Sequence, residues 1–199
     1  MTNIFIIGLL KLPMNKIYFS SDFHFCHNKS FCYESRGFSS PEEMNETIIK
    51  NFNEIVDDDD DVYFLGDLML SDTEAGLAAA ARLKGRWHII IGNHDTLNKV
   101  ERYKELPNVV EVVYATLIKY QKYHFYLSHY PTLTGNDRPG LKCNILNLYG
   151  HTHQSAPFSP YSPYMYNAGV DAHDCKPVSI DQVIEEMQCH YEELNASEE

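Results

Sequence analysis

Long apolar runs, paired cysteines and clustered basic residues are all missing from this sequence of 199 residues. No segment approaches the roughly 20 consecutive apolar residues that a transmembrane helix needs. The most apolar early stretch, residues 4–10, lacks the basic flank and small-residue cleavage site of a secretory signal peptide. The five cysteines contain no C-x-x-C pair, which argues against a disulfide framework. We therefore expect a cytoplasmic protein that does not associate with membranes.

The charge balance restricts the partners of the protein. The sequence has 16 basic and 28 acidic residues, which gives a formal net charge of −12. Extended nucleic acid is an unfavourable partner for such a chain, because its binding depends on clustered Lys and Arg. A small phosphorylated substrate is compatible with this charge if metal ions hold it, since bound cations dominate the local field. The oligomeric state is left open.

The length and the hydrophobic content of 44% predict a single domain that covers residues 1–199. A second methionine, Met14, directly precedes the first strand pattern, so residues 1–13 are expected to be a non-essential extension. The polar chain after Leu194 includes an acidic tail, residues 195–199, and is expected to be frayed.

Strand and helix patterns alternate along the chain. Helix N-terminal signals, with Ser or Asp before an acidic first turn, occur near residues 40–43, 71–74 and 179–182. Runs of β-branched and aromatic residues predict six buried strands at 17–20, 62–65, 88–91, 109–114, 124–127 and 145–149. The alternation predicts a layered α/β core.

Polar side chains collect just after the carboxyl ends of five of these strands, where open α/β sheets place their ligands. They are Asp22, His24, Asp67, Asn93, His129, His151 and His153. Gly-Asn-His-Asp and Gly-His-x-His should occur together in this order in only about one random chain in a hundred thousand. The pattern therefore indicates a functional site and not a chance grouping of polar residues.

The chemistry of these side chains predicts the cofactor. Histidine, asparagine and carboxylate without thiolate suit Mn²⁺, Fe, Ni²⁺ or Zn²⁺ better than Ca²⁺, and are too rich in nitrogen for a dedicated Mg²⁺ site. Asparagine is a poor zinc ligand, which favours manganese or iron. The donors outnumber what one ion can hold, so we expect two divalent ions that share a carboxylate.

The order of these motifs resembles the calcineurin-like metallophosphoesterase superfamily, in particular a small bacterial and phage branch. The family pattern is D-x-H, G-D, G-N-H-D/E, H and G-H-x-H, and the chain contains every element between Met14 and about Ile184. The resemblance implies a four-layer α/β/β/α sandwich, with two mixed β-sheets flanked by helices and metal ions at the sheet ends.

The resemblance also implies a division of roles. Asp22, His24 and His153 would hold the first ion, whereas the second ion would be held by Asn93, His129 and His151. Asp67 would bridge the ions, and a hydroxide that they share would attack phosphorus in line.

His94 is implied to be a catalytic residue and not a ligand. It would steady the developing charge or protonate the leaving oxygen. The sequence does not show which residue orients the His94 ring, and the neighbouring Asp95 is the candidate.

Substrate contacts are predicted from position alone. His27 and Asn28 directly follow the first ligands, and Arg36 is the candidate cation for a phosphate oxygen. Residues 157–166 alternate aromatic residues with prolines and are a candidate wall for a nucleobase, while residues 132–140 are a candidate rim.

The leading functional hypothesis is a metal-dependent hydrolase of a small phosphate mono- or diester, such as a nucleotide or cyclic nucleotide. A nuclease that acts on RNA or DNA ends is an alternative, and the acidic charge argues against it. A non-catalytic scaffold of the same fold is a second alternative, and the complete set of ligands with His94 argues against that one.

Overall fold

The computed structural model describes residues 15–134, 145–160 and 162–197. Its described strands are β1 (Ile17–Ser20), β2 (Asp61–Phe64), β3 (Arg86–Ile90), β4 (Val109–Val113), β5 (Ala115–Tyr120), β6 (Tyr123–Ser128), β7 (Ile145–Tyr149), β8 (Met165–Asn167) and β9 (Val178–Ser179). Its described helices are α1 (Ser30–Tyr33), α2 (Pro41–Ile55), α3 (Thr73–Ala80), α4 (Leu97–Tyr103) and α5 (Ile180–Ser197).

The strands form two mixed sheets. The first has the order β4-β3-β2-β1-β9, with β1 to β4 parallel and β9 antiparallel to β1. The second has the order β5-β6-β7-β8, with an antiparallel β5–β6 pair and parallel β6, β7 and β8. Two mixed sheets flanked by helices confirm the predicted fold class.

Two apolar clusters hold these layers together. The first lies between the first sheet and helices α2 and α3, where Phe52 of α2 packs with Phe64 and Trp87. The second joins the opposite face of the first sheet to the second sheet and α5, and it includes Phe19, Phe125 and Val183. The alternation of side chains along β1 explains how one strand serves both clusters.

Helix α2 shows how the sequence sets the element boundaries. The Ser40 side chain accepts a hydrogen bond from the backbone N–H of Glu43 at 3.2 Å, and Pro41 occupies the first turn. Met44, Ile48 and Phe52 then lie on one buried face. The predicted N-terminal cap is therefore confirmed.

Some expectations for the elements were wrong or lie outside the described residues. Helix α5 continues to Ser197, so the chain is not frayed directly after Leu194, because Glu, Leu and Ala favour helix. Residues 1–13 and Met14 lie outside the described residues, as does the predicted rim beyond Thr134. Of the helices in the described ranges, none has the length and apolar character needed to cross a bilayer.

Candidate metal centre and catalytic cleft

The turns that follow strands of both sheets meet at one edge of the sandwich. The backbone N–H of Asp22 donates to the Gly66 carbonyl at 3.0 Å, and that of His24 donates to the Asp67 carbonyl at 3.1 Å. The Gly150 N–H donates to the His129 carbonyl at 3.0 Å. Backbone hydrogen bonds therefore hold these turns in place independently of their side chains.

The backbone is strained where the predicted ligands lie. A positive φ between 50° and 68° occurs at Asp22, His24, Asp67, His151 and His153. A non-glycine residue in this region costs on the order of 1–3 kcal/mol and persists where the surroundings enforce it. Five of the ten described non-glycine residues with positive φ are predicted ligands, a share far above that of these ligands in the chain, which indicates a functional site.

Three of the predicted ligands form a first half-site, which consists of Asp22, His24 and His153. The Nε2 atoms of the two histidines lie 3.1 Å apart. Each of these nitrogens lies 3.8 Å from Asp22 Oδ1. One donor atom from each residue therefore faces a common point, as a shared metal ion requires.

The other four form a second half-site, which consists of Asp67, Asn93, His129 and His151. Asn93 Oδ1 lies 2.9 Å from His129 Nε2 and 2.8 Å from His151 Nδ1. His129 Nε2 lies 3.5 Å from Asp67 Oδ2. The structure thus brings all seven predicted ligands into two adjoining groups.

The hydrogen bonds around these groups fit metal ions. His129 Nδ1–H donates to the Leu65 carbonyl at 2.7 Å, and His153 Nδ1–H donates to Asp171 Oδ2 at 2.8 Å. Both histidines therefore present the Nε2 lone pair to the site. Asp22 Oδ1 is buried and has no hydrogen-bond partner among the described residues. A buried carboxylate oxygen in this position is stabilised by a cation.

Burial dominates the ionisation of Asp22, His24 and Asp67. It raises the pKa of Asp22 and of Asp67, although nearby histidines partly oppose the shift. Burial also lowers the pKa of His24 to about 2, so this ring is neutral near pH 7. A neutral imidazole is the form that binds metal, and a cation beside the carboxylates would favour their ionised form.

Two glycines are required by close approach at the site. A Cβ at Gly92 would collide with the Asp67 carboxylate, and a Cβ at Gly150 would collide with Ser21 Oγ and Asp22 Oδ2. Since both glycines directly precede predicted ligands, any larger residue there would displace a carboxylate.

Arg36 does not have the position that its predicted role needs. Its side chain is 3% exposed, and its Nε and Nη2 donate to Asp171 at 2.8 and 2.9 Å. Its remaining N–H groups donate to the carbonyls of Asp22 and Phe23 and to Met44 Sδ. All five N–H groups are occupied, which argues against a direct contact between Arg36 and a phosphate oxygen.

Asp171 is the functional residue that sequence reasoning missed. It joins Arg36 to the His153 ring, and these hydrogen bonds outweigh the effect of burial and hold the pKa of Asp171 below its usual range. A carboxylate behind a metal-binding histidine was the signal to look for.

Asp95 also differs from its predicted role. Its Oδ2 accepts hydrogen bonds from the backbone N–H groups of Asp67 and Gly92, both at 2.8 Å, and its Oδ1 accepts from Tyr103 at 2.7 Å. None of these contacts involves the His94 ring. Asp95 therefore fixes the turns that carry Asp67 and Asn93, and the proposed orientation of His94 by Asp95 is not supported.

His94 lies at the solvent side of the centre. Its backbone N–H donates to Asp67 Oδ1 at 2.8 Å, and its ring lies edge-on to His24 with a centroid distance of 5.6 Å. The side chain is 47% exposed, and its Nε2 lies 4.0 Å from Asp67 Oδ2. The ring can therefore reach a substrate that lies over the metal centre.

A cleft of about 910 Å³ opens over the centre, and both half-sites contribute to its floor. Of the predicted substrate contacts, His27 and Arg36 line it, whereas Asn28 is exposed and is not among the lining residues that the structure describes. Lys29, Phe31 and Asp174 also line the cleft.

The aromatic and proline-rich segment 157–166 does not line this cleft in the part that the structure describes. The Phe158 ring stacks on His190 with a centroid distance of 4.0 Å and lies edge-on to Tyr166 at 5.6 Å. The segment packs against α5 instead, because burial of its rings there is favourable. Tyr161 lies outside the described residues.

Comparisons with known proteins agree with this geometry. An uncharacterized protein of Methanocaldococcus jannaschii is 36% identical over 179 residues, which cover 87% of this chain and 92% of that protein. The gene 66 protein of Mycobacterium phage L5 is 31% identical over 93 residues, which cover 45% of this chain and 44% of that protein.

A solved structure has the same fold. A protein of unknown function from Aquifex aeolicus has a TM-score of 0.67 and 24% identity, and the match covers 86% of this chain and 99% of that one. The model of the calcineurin-like phosphoesterase family matches residues 15–167. The chain therefore belongs to the calcineurin-like phosphoesterase family, and this membership indicates a metal-dependent phosphoester hydrolase.

Proposed function

We propose that this protein hydrolyses a small phosphate mono- or diester, of the nucleotide or cyclic nucleotide class, at a centre of two divalent metal ions. The observation that carries the proposal is the central position of Asp67. Its Oδ2 lies 3.5 Å from His129 Nε2 and 3.8 Å from His24 Nε2, so one carboxylate faces both half-sites. A shared carboxylate is the usual link between paired ions.

Under this proposal, Asp22, His24 and His153 would hold one ion, Asn93, His129 and His151 would hold the other, and Asp67 would serve both. When bound, the ions supply Lewis acidity and lower the pKa of water enough for hydrolysis near neutral pH. The mixed nitrogen and oxygen donors favour Mn²⁺ or Fe, with Ni²⁺ and Zn²⁺ as alternatives.

The protein side chains orient the substrate and stabilise the negative charge that develops on its oxygens. The His94 ring is exposed and is not one of the predicted ligands, so it is placed to donate a proton to the leaving oxygen or to hydrogen-bond a non-bridging oxygen. Arg36 and Asp171 position His153 from below and do not contact the substrate. Catalysis under this proposal therefore depends on a rigid floor and on His94, which is not one of the predicted ligands.

A metal-reconstitution experiment tests the proposal. The purified protein is stripped with chelator, reloaded with Mn²⁺, Fe²⁺, Ni²⁺, Zn²⁺ or Mg²⁺, and assayed on p-nitrophenyl phosphate, bis-p-nitrophenyl phosphate, AMP and cyclic AMP. We expect two ions per chain by elemental analysis and the highest turnover with Mn²⁺ or Fe²⁺. Full activity with a single bound ion would contradict the two-ion centre, and no hydrolysis with any metal would contradict the enzymatic proposal.

A further inference from the structure

The catalytic cleft is larger than a phosphoryl group needs. Its volume is about 910 Å³, within the range of about 300–1,000 Å³ that accommodates whole small-molecule ligands. Five of the seven predicted ligands and His94 line its floor, and a separate set of side chains lines the rest. The remainder of the substrate therefore meets residues that the metal centre does not use.

One wall of the cleft comes from the segment that leads into α1. We call His27, Lys29 and Phe31 the α1 wall. The His27 ring lies 6.1 Å from the His24 ring, and the Phe31 ring lies edge-on to His27 at 5.4 Å. The rings of His24, His27 and Phe31 therefore lie in a row that begins at the predicted ligand His24 and extends along the cleft.

Phe31 has an apolar side chain that the rest of the described chain does not cover. The residue is 71% exposed although it lines the cleft, while most large apolar residues in the described part of the chain are buried. Aromatic side chains in open clefts serve as stacking surfaces for planar groups, and nucleobases stack on them whatever their sequence.

Lys29 places an ammonium group at the cleft, where it can bind an anionic group of a substrate. It is exposed, and its ammonium group makes no hydrogen bond or ion pair with any described residue. Arg36, the other Lys or Arg among the described lining residues, has every N–H group occupied. The exposed Asp174 also lines the cleft and would repel an anionic group placed beside it.

We propose that the α1 wall recognises the part of the substrate beyond the cleaved phosphate. The preferred substrate class is a small nucleotide diester that bears a second phosphate, with its base against Phe31 and the second phosphate at Lys29. This inference rests on the proposed function and narrows its substrate class. It predicts that a 5′-phosphorylated dinucleotide is a better substrate than the same dinucleotide without that phosphate.

The experiment compares pApA with ApA, which differ by one phosphate, in the metal-loaded protein. We expect kcat/KM for hydrolysis of pApA to two AMP to exceed that for hydrolysis of ApA to adenosine and AMP about tenfold, as one charge-assisted contact gives. Lys29→Ala should bring this ratio close to one, and Lys29→Arg should restore it. Lys119→Ala, a change at an exposed lysine on β5 that does not line the cleft, should keep the wild-type ratio.

The stacking surface is tested with glycerophosphoglycerol, a diester with an alkyl leaving group and no ring. Phe31→Ala should lower the kcat/KM of ApA relative to this diester about tenfold, and Phe31→Trp should preserve that ratio.

The results separate the inference from the proposed function. Suppose that the protein hydrolyses bis-p-nitrophenyl phosphate but that Lys29→Ala leaves the pApA to ApA ratio of kcat/KM unchanged. This result would overturn the recognition by the α1 wall and leave the proposed function intact. Release of inorganic phosphate from pApA without AMP would also overturn it. Failure to cleave any of these esters, including bis-p-nitrophenyl phosphate, would overturn the proposed function itself.

Discussion

The two half-sites of the metal centre are supported in different ways. The first half-site depends on an ion pair, in which Arg36 and Asp171 together hold the His153 ring. The second depends on Asp95, which accepts two backbone hydrogen bonds and one from Tyr103. The first support joins residues 135 positions apart, whereas the second comes from Asp95, the last residue of the Gly-Asn-His-Asp motif itself.

The difference has an energetic consequence. A buried ion pair contributes little net stability, because the desolvation of both charges offsets their attraction. A buried acceptor that satisfies backbone donors is costly to remove, because those donors are then left unpaired. We therefore expect the support of the first half-site to govern metal affinity, and that of the second to govern folding.

The largest predicted effect comes from His94, which belongs to neither half-site. His94→Ala should lower kcat by about 10²–10⁴-fold, the usual contribution of a general acid or base. Both ions should remain bound, because the seven predicted ligands are intact. Elemental analysis and steady-state kinetics on bis-p-nitrophenyl phosphate measure the two quantities.

His151→Ala is the matched control for that experiment, since it removes a histidine of the second half-site. It should lose one metal equivalent as well as turnover. Equal metal loss in both variants would contradict the separation of His94 from the ligands.

The next largest effect concerns folding. Asp95→Ala should lower the free energy of unfolding by about 3 kcal/mol, because it leaves the N–H groups of Asp67 and Gly92 and the Tyr103 hydroxyl unpaired. Tyr103→Phe removes one of these hydrogen bonds and should cost about 1 kcal/mol. Urea denaturation of the metal-free proteins measures both values. If the two variants were equally stable, Asp95 would not be the main support of the second half-site.

The same comparison explains what the sequence could predict. The grouping of the seven predicted ligands could be anticipated because each follows a strand end, and the motifs Gly-Asn-His-Asp and Gly-His-x-His place several of them within a few residues. The support from Asp171 was missed because Arg36 and His153 meet it only after both sheets have formed. Arg36 was assigned to the substrate for the same reason, since sequence position does not reveal that its donors are already occupied.

Element prediction failed where strands are short or adjacent. Strands β8 and β9 have three and two residues, too few for an alternating pattern to stand out. Strand β5 begins after a single residue, Tyr114, yet it belongs to the other sheet from β4. Local periodicity does not report such a change of sheet, because tertiary packing determines which edge a strand joins.

The smallest effect tests the ion pair of the first half-site. The double variant Arg36→Met/Asp171→Asn removes both charges together, so that neither is left buried without a partner. One of the two metal-binding steps should weaken about 10–100-fold, as is usual when the partner of a metal-binding histidine is changed. The free energy of unfolding of the metal-free protein should fall by about 1–2 kcal/mol, less than for Asp95→Ala, because the charges are removed as a pair but the carbonyls of Asp22 and Phe23 lose their donor.

Calorimetric titration of the metal-free protein with Mn²⁺ distinguishes the two binding steps. Asp174→Asn is the matched control, since Asp174 is an exposed acid that lines the cleft and makes no hydrogen bond to His153 within the described part of the chain. It should leave both steps unchanged. If the double variant weakened both steps equally, the ion pair would support the whole centre, and the two half-sites would not be independent. If it weakened neither, the His153 ring would be held by its strained backbone alone, with φ of 51°.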